Sequence, residues 1–147
     1  MRATSTDWSP YLQRFHEQRA GITEELLGSA THVNGDDPYR WVASALPRGR
    51  VLDVACGSGP LAAERSSWVG VDLSAVELSV ARSRGRGPVV VARADALPFA
   101  DGSVAHAAAT MALMVVDSPV DVLAEVRRVV SPSGAVAVLL PADGPLN

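Results

Sequence analysis

The chain has 147 residues, 48% of them hydrophobic and 20% charged, which is the balance of one globular domain with a substantial core. A formal net charge of −3 gives no electrostatic sign of a nucleic-acid partner, and no apolar stretch resembles a signal peptide or reaches the roughly 20 residues of a membrane span. Cys56 is the single cysteine, which excludes an internal disulfide framework and predicts a reducing, cytoplasmic environment.

All 13 basic residues are arginine. The absence of lysine excludes a Walker-type phosphate lysine, a Schiff-base lysine and the tyrosine–lysine pair of dehydrogenases. The histidines lie far apart in the sequence and show no ligand spacing, so no metal site is predicted. Arg82, Arg84 and Arg86 are expected to lie at a helix C-terminus, where cations are favourable, rather than to bind phosphate.

Residues 1–46 are predicted to form a helical cap that precedes the core of the domain. Aromatic residues at spacings of three and four indicate a first helix. Thr23 is a candidate cap for a second, short helix, and Asp37 for a third helix that begins at Pro38 and ends before Pro47. A turn-rich connector at 32–37 separates the second helix from the third.

The pattern from residue 47 onward alternates strands with helices. Strands are predicted at about 50–54, 68–74, 88–95, within 105–116 and at 135–141. The helical segments between them are a short stretch at 61–67, a helix from the Ser74–Glu77 capping signature to Gly85, and a helix over 118–130. Near-continuous apolar strands in such an alternation predict a parallel sheet covered on both faces, with ligands beyond the carboxyl ends of the strands.

The segment RVLDVACGSGPL, residues 50–61, is typical of a buried strand that ends in a tight loop and opens a helix. Gly57 and Gly59 let the backbone adopt strained angles and let a ligand approach the main chain closely. N–H groups at the start of the following helix are free to face a polar ligand. Such a loop is a weak indicator by itself, so the surrounding residues must identify the ligand.

Asp53, Asp72 and Asp95 fall at or near the carboxyl ends of three consecutive predicted strands. Each aspartate taken singly is equally well explained as a cap of a helix or turn. Together with the glycine loop they line one rim of one sheet, which capping does not require. Asp72 can accept hydrogen bonds from the vicinal hydroxyls of a ribose, and Asp95 can accept one from an adenine amine.

Two ligand classes fit this rim. Gly57, Gly59 and Ala62 satisfy a loose G-x-G-x-x-A dinucleotide fingerprint. Asp53, however, places a carboxylate where the pyrophosphate of a dinucleotide would lie. A negative charge there suits a cationic ligand with an ammonium group, such as the methionine part of S-adenosylmethionine. NAD(P) therefore stays as the remote alternative.

Four motifs in succession resemble those of the class I, Rossmann-like S-adenosylmethionine-dependent methyltransferases with a methyltransferase-11-type core. VLDVACGSG resembles their motif I, GVDLS their acidic ribose motif and ADALPFADGSV their adenine-side loop, while EVRRVVSPSGAVAVLLP resembles the helix, turn and fifth strand. The resemblance covers about residues 48–141. It implies a three-layer α/β fold with a parallel sheet of strand order 3-2-1-4-5, helices on both faces and an N-terminal helical cap.

The resemblance also implies roles for individual residues. The methionine part of the cofactor would be held by Asp53 and by the backbone of Ala55, Cys56, Gly57 and Gly59. Asp72 would accept from the ribose hydroxyls, Leu73 would lie beside the adenine, and Asp95 and Ala96 would frame the adenine edge. The floor near the methyl group would be lined by Thr110, Met111 and Ala112. Arg19 would pair with the cofactor carboxylate, and Tyr11 and Phe15 would cover the pocket, although Phe15 serves equally well as a core residue.

The chain departs from the family pattern at several places. Ala55 replaces a glycine of motif I, Val104 and Ala105 replace an aromatic residue and an aspartate before strand four, and the helix over 60–67 is short. The core, residues 47–147, ends after strand five, where the family has two more strands. Strand five would then be an apolar edge. Either a homodimer or a partner chain covers it, the strand is less exposed than expected, or the sequence is a fragment or a shortened relative.

The expected function is methyl transfer from S-adenosylmethionine to a small-molecule acceptor, with no nucleic-acid or membrane partner. A non-catalytic or partner-dependent S-adenosylmethionine-binding subunit is the alternative from another class. Only some acceptors need a general base. His16 is the candidate, since His106 is expected to lie at the far end of strand four and Cys56 to be a small buried side chain.

Overall fold

The computed structural model describes residues 9–29 and 35–141. The undescribed residues include Trp8 and residues 32–34 of the predicted connector, the first of which is His32. The helices are α1 Ser9–Gln18, α2 Ile22–Gly28, α3 Pro38–Ala45, α4 Ala75–Ser83 and α5 Pro119–Val129. The strands are β1 Val51–Val54, β2 Trp68–Asp72, β3 Val89–Val91, β4 His106–Thr110 and β5 Val136–Leu139. A short 3₁₀ helix, Pro60–Ala63, follows the glycine loop.

The strands form a five-stranded parallel sheet in the order β3-β2-β1-β4-β5, which confirms the predicted fold. Val51 at the start of β1 is level with Trp68 of β2 and His106 of β4. Because these strands start together and run in one direction, their carboxyl ends meet at one edge of the sheet, where Asp72 and Thr110 are the last strand residues.

The core divides between the two faces of the sheet. One cluster packs α5 through Val122, Val126 and Val129 against Leu52 and Val54 of β1. On the opposite face, a second cluster is formed by residues of α3, α4 and the sheet: Tyr39, Val42, Ala43, Leu46, Val51, Cys56, Leu61, Trp68, Leu78 and Ala108. Helices therefore cover both faces, as expected. The division of the chain at residue 46 stays a prediction, and α3 on its N-terminal side packs directly against the sheet.

Capping residues account for most helix starts. Asp37 accepts a hydrogen bond from Arg40 N at the start of α3, as predicted. Ser74 caps α4 by accepting from Glu77 N. The predicted cap of α2 is wrong: the helix begins after Gly21, whose φ of 84° turns the chain out of α1, and Thr23 lies inside the helix.

Two strands differ from their predicted limits. The third strand was expected to continue to Asp95 but ends at Val91, because this edge strand loses its partner where β2 ends at Asp72. β4 consists largely of alanine, which disfavours a strand by propensity. Its pairing with both β1 and β5 and the burial of both its faces override that preference.

His106 is a structural residue at the amino end of β4, far from the carboxyl edge. Its Nδ1 accepts a hydrogen bond from Ala135 N at 3.0 Å, so Nε2 carries the hydrogen that faces the Arg48 carbonyl at 3.0 Å. Both ring nitrogens are thereby satisfied by backbone groups that fix the starts of β1 and β5. In the described part of the chain, no helix is long and apolar enough to cross a membrane.

β5 is an edge of the described sheet. Ala135, Ala137 and Leu139 point toward the second core cluster. Val136, Val138 and Leu140 alternate with them and are 45%, 40% and 47% exposed on the α5 side of the sheet. An apolar edge with three exposed aliphatic side chains is a surface that folded proteins normally cover.

Candidate functional site

A cavity of about 200 Å³ lies at the carboxyl edge of the sheet. Its lining includes the following residues predicted from the sequence: His16, Asp53, Ala55, Cys56, Gly57, Asp72, Leu73, Asp95, Thr110, Met111 and Ala112. Gly59, Ala96 and Arg19 were also predicted, but they are not among its described lining residues. The cavity contains the rim of acidic residues around the glycine loop that the sequence suggested.

Asp72 joins the glycine loop to α4. Its Oδ2 accepts a hydrogen bond from Gly57 N at 2.8 Å, and its Oδ1 accepts one from Ser74 N at 2.8 Å. Burial raises the pKa of this carboxyl, an effect that the two backbone N–H donors oppose. The carboxylate therefore holds the loop in place while it lines the cavity, and its remaining lone pairs are available to hydroxyl groups of a ligand.

Asp53 lies beneath the glycine loop and is only 3% exposed. Its Oδ2 accepts a hydrogen bond from the indole Nε1 of Trp68 at 3.2 Å. Burial raises the pKa of Asp53 to about 7, the nearby Asp72 carboxylate adds to that rise, and the indole N–H opposes it. A buried carboxylate with a single neutral donor attracts a cationic group.

Backbone strain is concentrated around the cavity. Ala55 and Met111 follow β1 and β4 with φ of 56° and 54°, in the left-handed region that favours glycine. Gly57 and Gly59 adopt φ of 56° and 71° in the same loop. Non-glycine residues in this region each cost about 1–2 kcal/mol and are found preferentially at functional sites. Ala55, which stands where the family motif has a glycine, therefore adopts this left-handed conformation at an energetic cost.

Thr110 closes β4 at the floor of the cavity. Its Oγ1 is buried and has no hydrogen-bond partner among the described residues. A buried, unsatisfied hydroxyl costs about 1–3 kcal/mol unless a ligand or water completes it. An orphaned hydroxyl, two carboxylates and a close backbone loop in one cavity fit a polar cofactor with hydroxyl and ammonium groups.

His16 enters the cavity from α1 through a contact that the sequence did not suggest. Its Nδ1 donates to Oε1 of Glu77 at 2.9 Å, and Oε2 of the same carboxylate accepts from Gly21 N at 3.0 Å. Glu77 is 2% exposed, near the start of α4. The hydrogen bond that His16 donates to Glu77 raises the pKa of His16, although partial burial opposes the rise. Glu77 thereby fastens the turn between α1 and α2 to the edge of the cavity.

A second tie joins α2 to the glycine loop. Glu24 accepts hydrogen bonds from Ser58 Oγ at 2.7 Å and from Arg86 at 2.8 Å, and it also pairs with Arg84. Arg86 donates as well to the Ser58 carbonyl at 2.9 Å. The arginine group does lie at the C-terminal end of α4, as predicted, and its charges are used within the fold.

Several residues that were predicted at the site lie away from the cavity or have partners within the protein. The exposed Arg19 lies over the Phe15 ring, 5.7 Å from its centroid, and is not among the described residues that line the cavity. Phe15 and the 56%-exposed Tyr11 stack on each other at 6.5 Å, and neither lines the cavity. Asp95 forms a two-pronged pair with Arg93, at 2.9 and 2.8 Å, which lowers its pKa.

Three further predicted positions need comment. Asp95 lines the cavity from the turn beyond β3 instead of from a strand end, and Ala96 beside it is exposed. Gly59 faces the Trp68 ring, from which a Cβ would be only 3.0 Å away, so it contributes packing space. Burial raises the pKa of the Cys56 thiol, in keeping with a small buried side chain.

Sequence reasoning missed Glu77, Glu24 and Tyr39 as residues around the site, and it took Trp68 only as a strand residue. Glu77 was interpreted as half of a capping box, yet Ser74 N donates to Asp72 instead, which frees the Glu77 carboxylate for α1. No local pattern indicates such a contact across 61 positions. Among the described residues, no group of three or more His, Cys, Asp or Glu side chains could hold a metal ion.

Comparison with known proteins agrees with this geometry. The family model described as "Methyltransferase domain" matches residues 52–138. The demethylmenaquinone methyltransferase of Renibacterium salmoninarum is 36% identical over 100 residues, which are 64% of this chain and 42% of that protein. The malonyl-[acyl-carrier protein] O-methyltransferase of Alcanivorax borkumensis is 33% identical over 112 residues, 69% of this chain and 38% of that protein.

Among solved structures, a Thermotoga maritima protein described as an S-adenosylmethionine-dependent methyltransferase and possible histamine N-methyltransferase superimposes with a TM-score of 0.72. It is 25% identical, and the match covers 85% of this chain and 59% of that one. The chain spans less than half the length of the two curated relatives. The matching family model, the sheet order and the cavity agree, and the chain belongs to the class I methyltransferase-domain family, whose cofactor is S-adenosylmethionine.

Proposed function

We propose that this chain binds S-adenosylmethionine in the cavity at the carboxyl edge of the sheet and transfers its methyl group to a small-molecule acceptor. The observation that carries the proposal is the pair of carboxylates, the buried Asp53 and the half-buried Asp72, that line the cavity on either side of the glycine loop. An acidic rim of this kind opposes the pyrophosphate of a dinucleotide and accepts an ammonium group and ribose hydroxyls.

The roles of the chain's residues follow from their positions. Asp53 faces the ammonium group, and Asp72 accepts from the ribose hydroxyls while it holds Gly57. The Thr110 hydroxyl, which has no partner among the described residues, completes its hydrogen bonding with the ligand. Leu73, 44% exposed at the cavity wall, packs on the apolar face of the adenine.

When bound, the cofactor supplies an electrophilic sulfonium methyl group, so the protein mainly positions the acceptor and excludes water. His16 is placed to remove a proton from an acceptor that requires it. Its hydrogen bond to Glu77 raises the pKa of His16, so the ring is a stronger base, and it can accept a proton only at a pH where it is neutral.

The acceptor is proposed to be a small molecule because the relatives with printed substrates include a demethylmenaquinone methyltransferase. The partly apolar wall formed by Met111, Val115, Val116 and Val122 is compatible with such an acceptor. The second relative is an O-methyltransferase that acts on a malonyl-[acyl-carrier protein], so the accepting atom is left open.

A partner-dependent subunit is the second candidate function, and the exposed β5 face favours it. An apolar row of Val136, Val138 and Leu140 lies beside the outer edge of the sheet that the described residues form. A second copy of the chain or a partner chain that covers this row would complete the sheet. In that case the chain binds the cofactor alone but transfers the methyl group only in the complex.

The test is isothermal calorimetry of the protein with S-adenosylmethionine, S-adenosylhomocysteine and NADH, followed by turnover assays on phenols, quinols, amines, thiols and carboxylates. Binding of the first two ligands and formation of S-adenosylhomocysteine with one acceptor class support the methyltransferase. Binding without turnover favours the partner-dependent subunit. Binding of NADH alone refutes both.

A further inference from the structure

Trp68 occupies an unusual position for a residue at the start of a strand. It is level with Val51 in the sheet, whereas Asp53 is level with Gly70. Its indole nevertheless reaches Asp53 Oδ2 at 3.2 Å, because the ring extends along β2 toward the carboxyl edge. Trp68 is only 3% exposed, and the edge of its ring lies against Gly59 of the glycine loop.

Two glycines provide the space for this ring. A Cβ atom built on Gly70 would lie 2.5 Å from Cη2 of Trp68 and 2.6 Å from Sγ of Cys56. A Cβ atom on Gly59 would lie 3.0 Å from the same Cη2. Because Gly70 of β2 and Gly59 of the glycine loop have no Cβ atom, they leave room for the indole ring in this position. The indole N–H then points at Asp53.

The surroundings of Asp53 make this N–H important. Asp72 on β2 repels a second negative charge, and the buried Tyr39 of α3 and Cys56 of the loop are neutral neighbours. The indole N–H is the side-chain donor that the described residues provide to Asp53. Hydrogen bonds to a charged group contribute about 1.5–3 kcal/mol, enough to decide the protonation state of a buried carboxyl.

We propose that Trp68 is a positioning residue: its indole N–H holds the Asp53 carboxylate as an oriented, ionised acceptor for the ammonium group of the cofactor. The proposal rests on the proposed function, since it assigns the ammonium group to Asp53. Gly70 and Gly59 contribute to this positioning, because a side chain at Gly70 would displace the ring and one at Gly59 would crowd it.

The first test measures ligand affinity against pH from 6 to 8 for the wild type, Trp68→Phe, Asp53→Asn and the double variant. Loss of a hydrogen bond to a charged group is expected to weaken S-adenosylmethionine binding about tenfold at pH 7 in Trp68→Phe and to move its pH profile up by about one unit. In the double variant, Trp68→Phe is expected to cause no loss of S-adenosylmethionine affinity beyond that caused by Asp53→Asn. The pH dependence of affinity that remains in Asp53→Asn reports the titration of the ligand's own amine.

Two matched controls separate positioning from general disruption. Methylthioadenosine lacks the amino-acid part, so Trp68→Phe is expected to leave its affinity within about twofold of the wild type. Trp41, 45% exposed on α3, gives the control variant Trp41→Phe with unchanged affinity for both ligands. Equal loss for both ligands in Trp68→Phe would overturn the proposal, as would equal S-adenosylmethionine affinity of Trp68→Phe and the wild type at every pH.

A second measurement needs no ligand and no change at Trp68. In a Trp8→Phe/Trp41→Phe variant, Trp68 is the single tryptophan, and its fluorescence is expected to change with pH near 7, the pKa of Asp53. Asp53→Asn in that background is expected to abolish the transition. A transition that persists would refute the Trp68–Asp53 coupling. A wild type that does not bind S-adenosylmethionine would instead refute the proposed function and, with it, the role toward the cofactor.

Discussion

Replacement of Asp53 by asparagine is expected to stabilise the protein while it weakens ligand binding. The native pKa of Asp53 is about 7, raised from 3.8 chiefly by burial. A raised pKa of an acid means that the native state binds the proton more tightly than the unfolded chain. The stability of the wild type therefore falls as pH rises from about 4 to about 7 and then levels off.

The size of this effect follows from the shift. At 1.36 kcal/mol per unit, the ionised carboxylate costs at most about 4 kcal/mol above pH 7. Asparagine keeps an oxygen acceptor for the Trp68 indole N–H but buries an amide that needs its own partner. A net gain of about 1–3 kcal/mol in the free energy of unfolding is therefore expected for Asp53→Asn at pH 8.

The assay is urea unfolding of wild type and Asp53→Asn, followed by circular dichroism at pH 4, 5, 6, 7 and 8. The difference in unfolding free energy between the two proteins cancels the titration of the other carboxylates. That difference is expected to grow in favour of the variant up to about pH 7 and stay constant above it. A difference that is independent of pH, or a variant less stable at pH 8 than the wild type, would show that Asp53 is not a strained buried acid.

Three further perturbations act on separate parts of the site. Asp72→Ala is expected to weaken S-adenosylmethionine binding at least tenfold, about 1.4 kcal/mol by calorimetry, because it removes the proposed ribose acceptor and the anchor of the glycine loop. The ion pair of His16 with Glu77 stabilises the fold fully below the ordinary His16 pKa of 6.5, and this stabilisation is lost as pH rises through the raised pKa. Proteolytic cleavage of the α1–α2 turn is therefore expected to become faster with rising pH in the wild type, and Glu77→Gln is expected to remove that pH dependence. Gly70→Ala is expected to lower the unfolding free energy by about 2 kcal/mol or more, since the new methyl group overlaps the Trp68 ring.

Each perturbation has a control of the same chemical type. Asp101→Ala removes an 82%-exposed carboxylate outside the cavity and is expected to leave ligand affinity unchanged. Glu25→Gln changes an exposed side chain of α2, so the pH dependence of cleavage should persist. Gly28→Ala adds a methyl group with no atom within 4 Å and should change stability by less than about 0.5 kcal/mol. If a control variant showed the same change in affinity, cleavage or stability as the variant with which it is paired, the role assigned to the residue at the site would be wrong.

The alternation of strands and helices was predictable from continuous stretches of sequence, and the strand order was predictable because four motifs in succession resemble those of a family with that order. Asp37 before Pro38 and Ser74 before α4 are local caps, and they start the helices as expected. β3 was predicted too long, since an edge strand ends where its neighbour ends, and that neighbour is distant in sequence. β4 was uncertain because alanine is a poor strand former, and only its burial between two strands resolves the assignment.

Local patterns in the sequence were enough to identify the class of this protein. They are the alternation of strands and helices, the glycine loop and the acidic residues at or near the predicted strand ends, and they occur within four motifs in succession that resemble those of the family. The tertiary structure alone decided how the aspartates differ, since Asp95 is neutralised by Arg93, Asp72 holds the loop and Asp53 depends on an indole from the start of β2. It also placed His16 at the cavity and Arg19 away from it. The physical reason is that charge state and hydrogen bonding depend on burial and on partners from other elements, which a linear pattern does not specify.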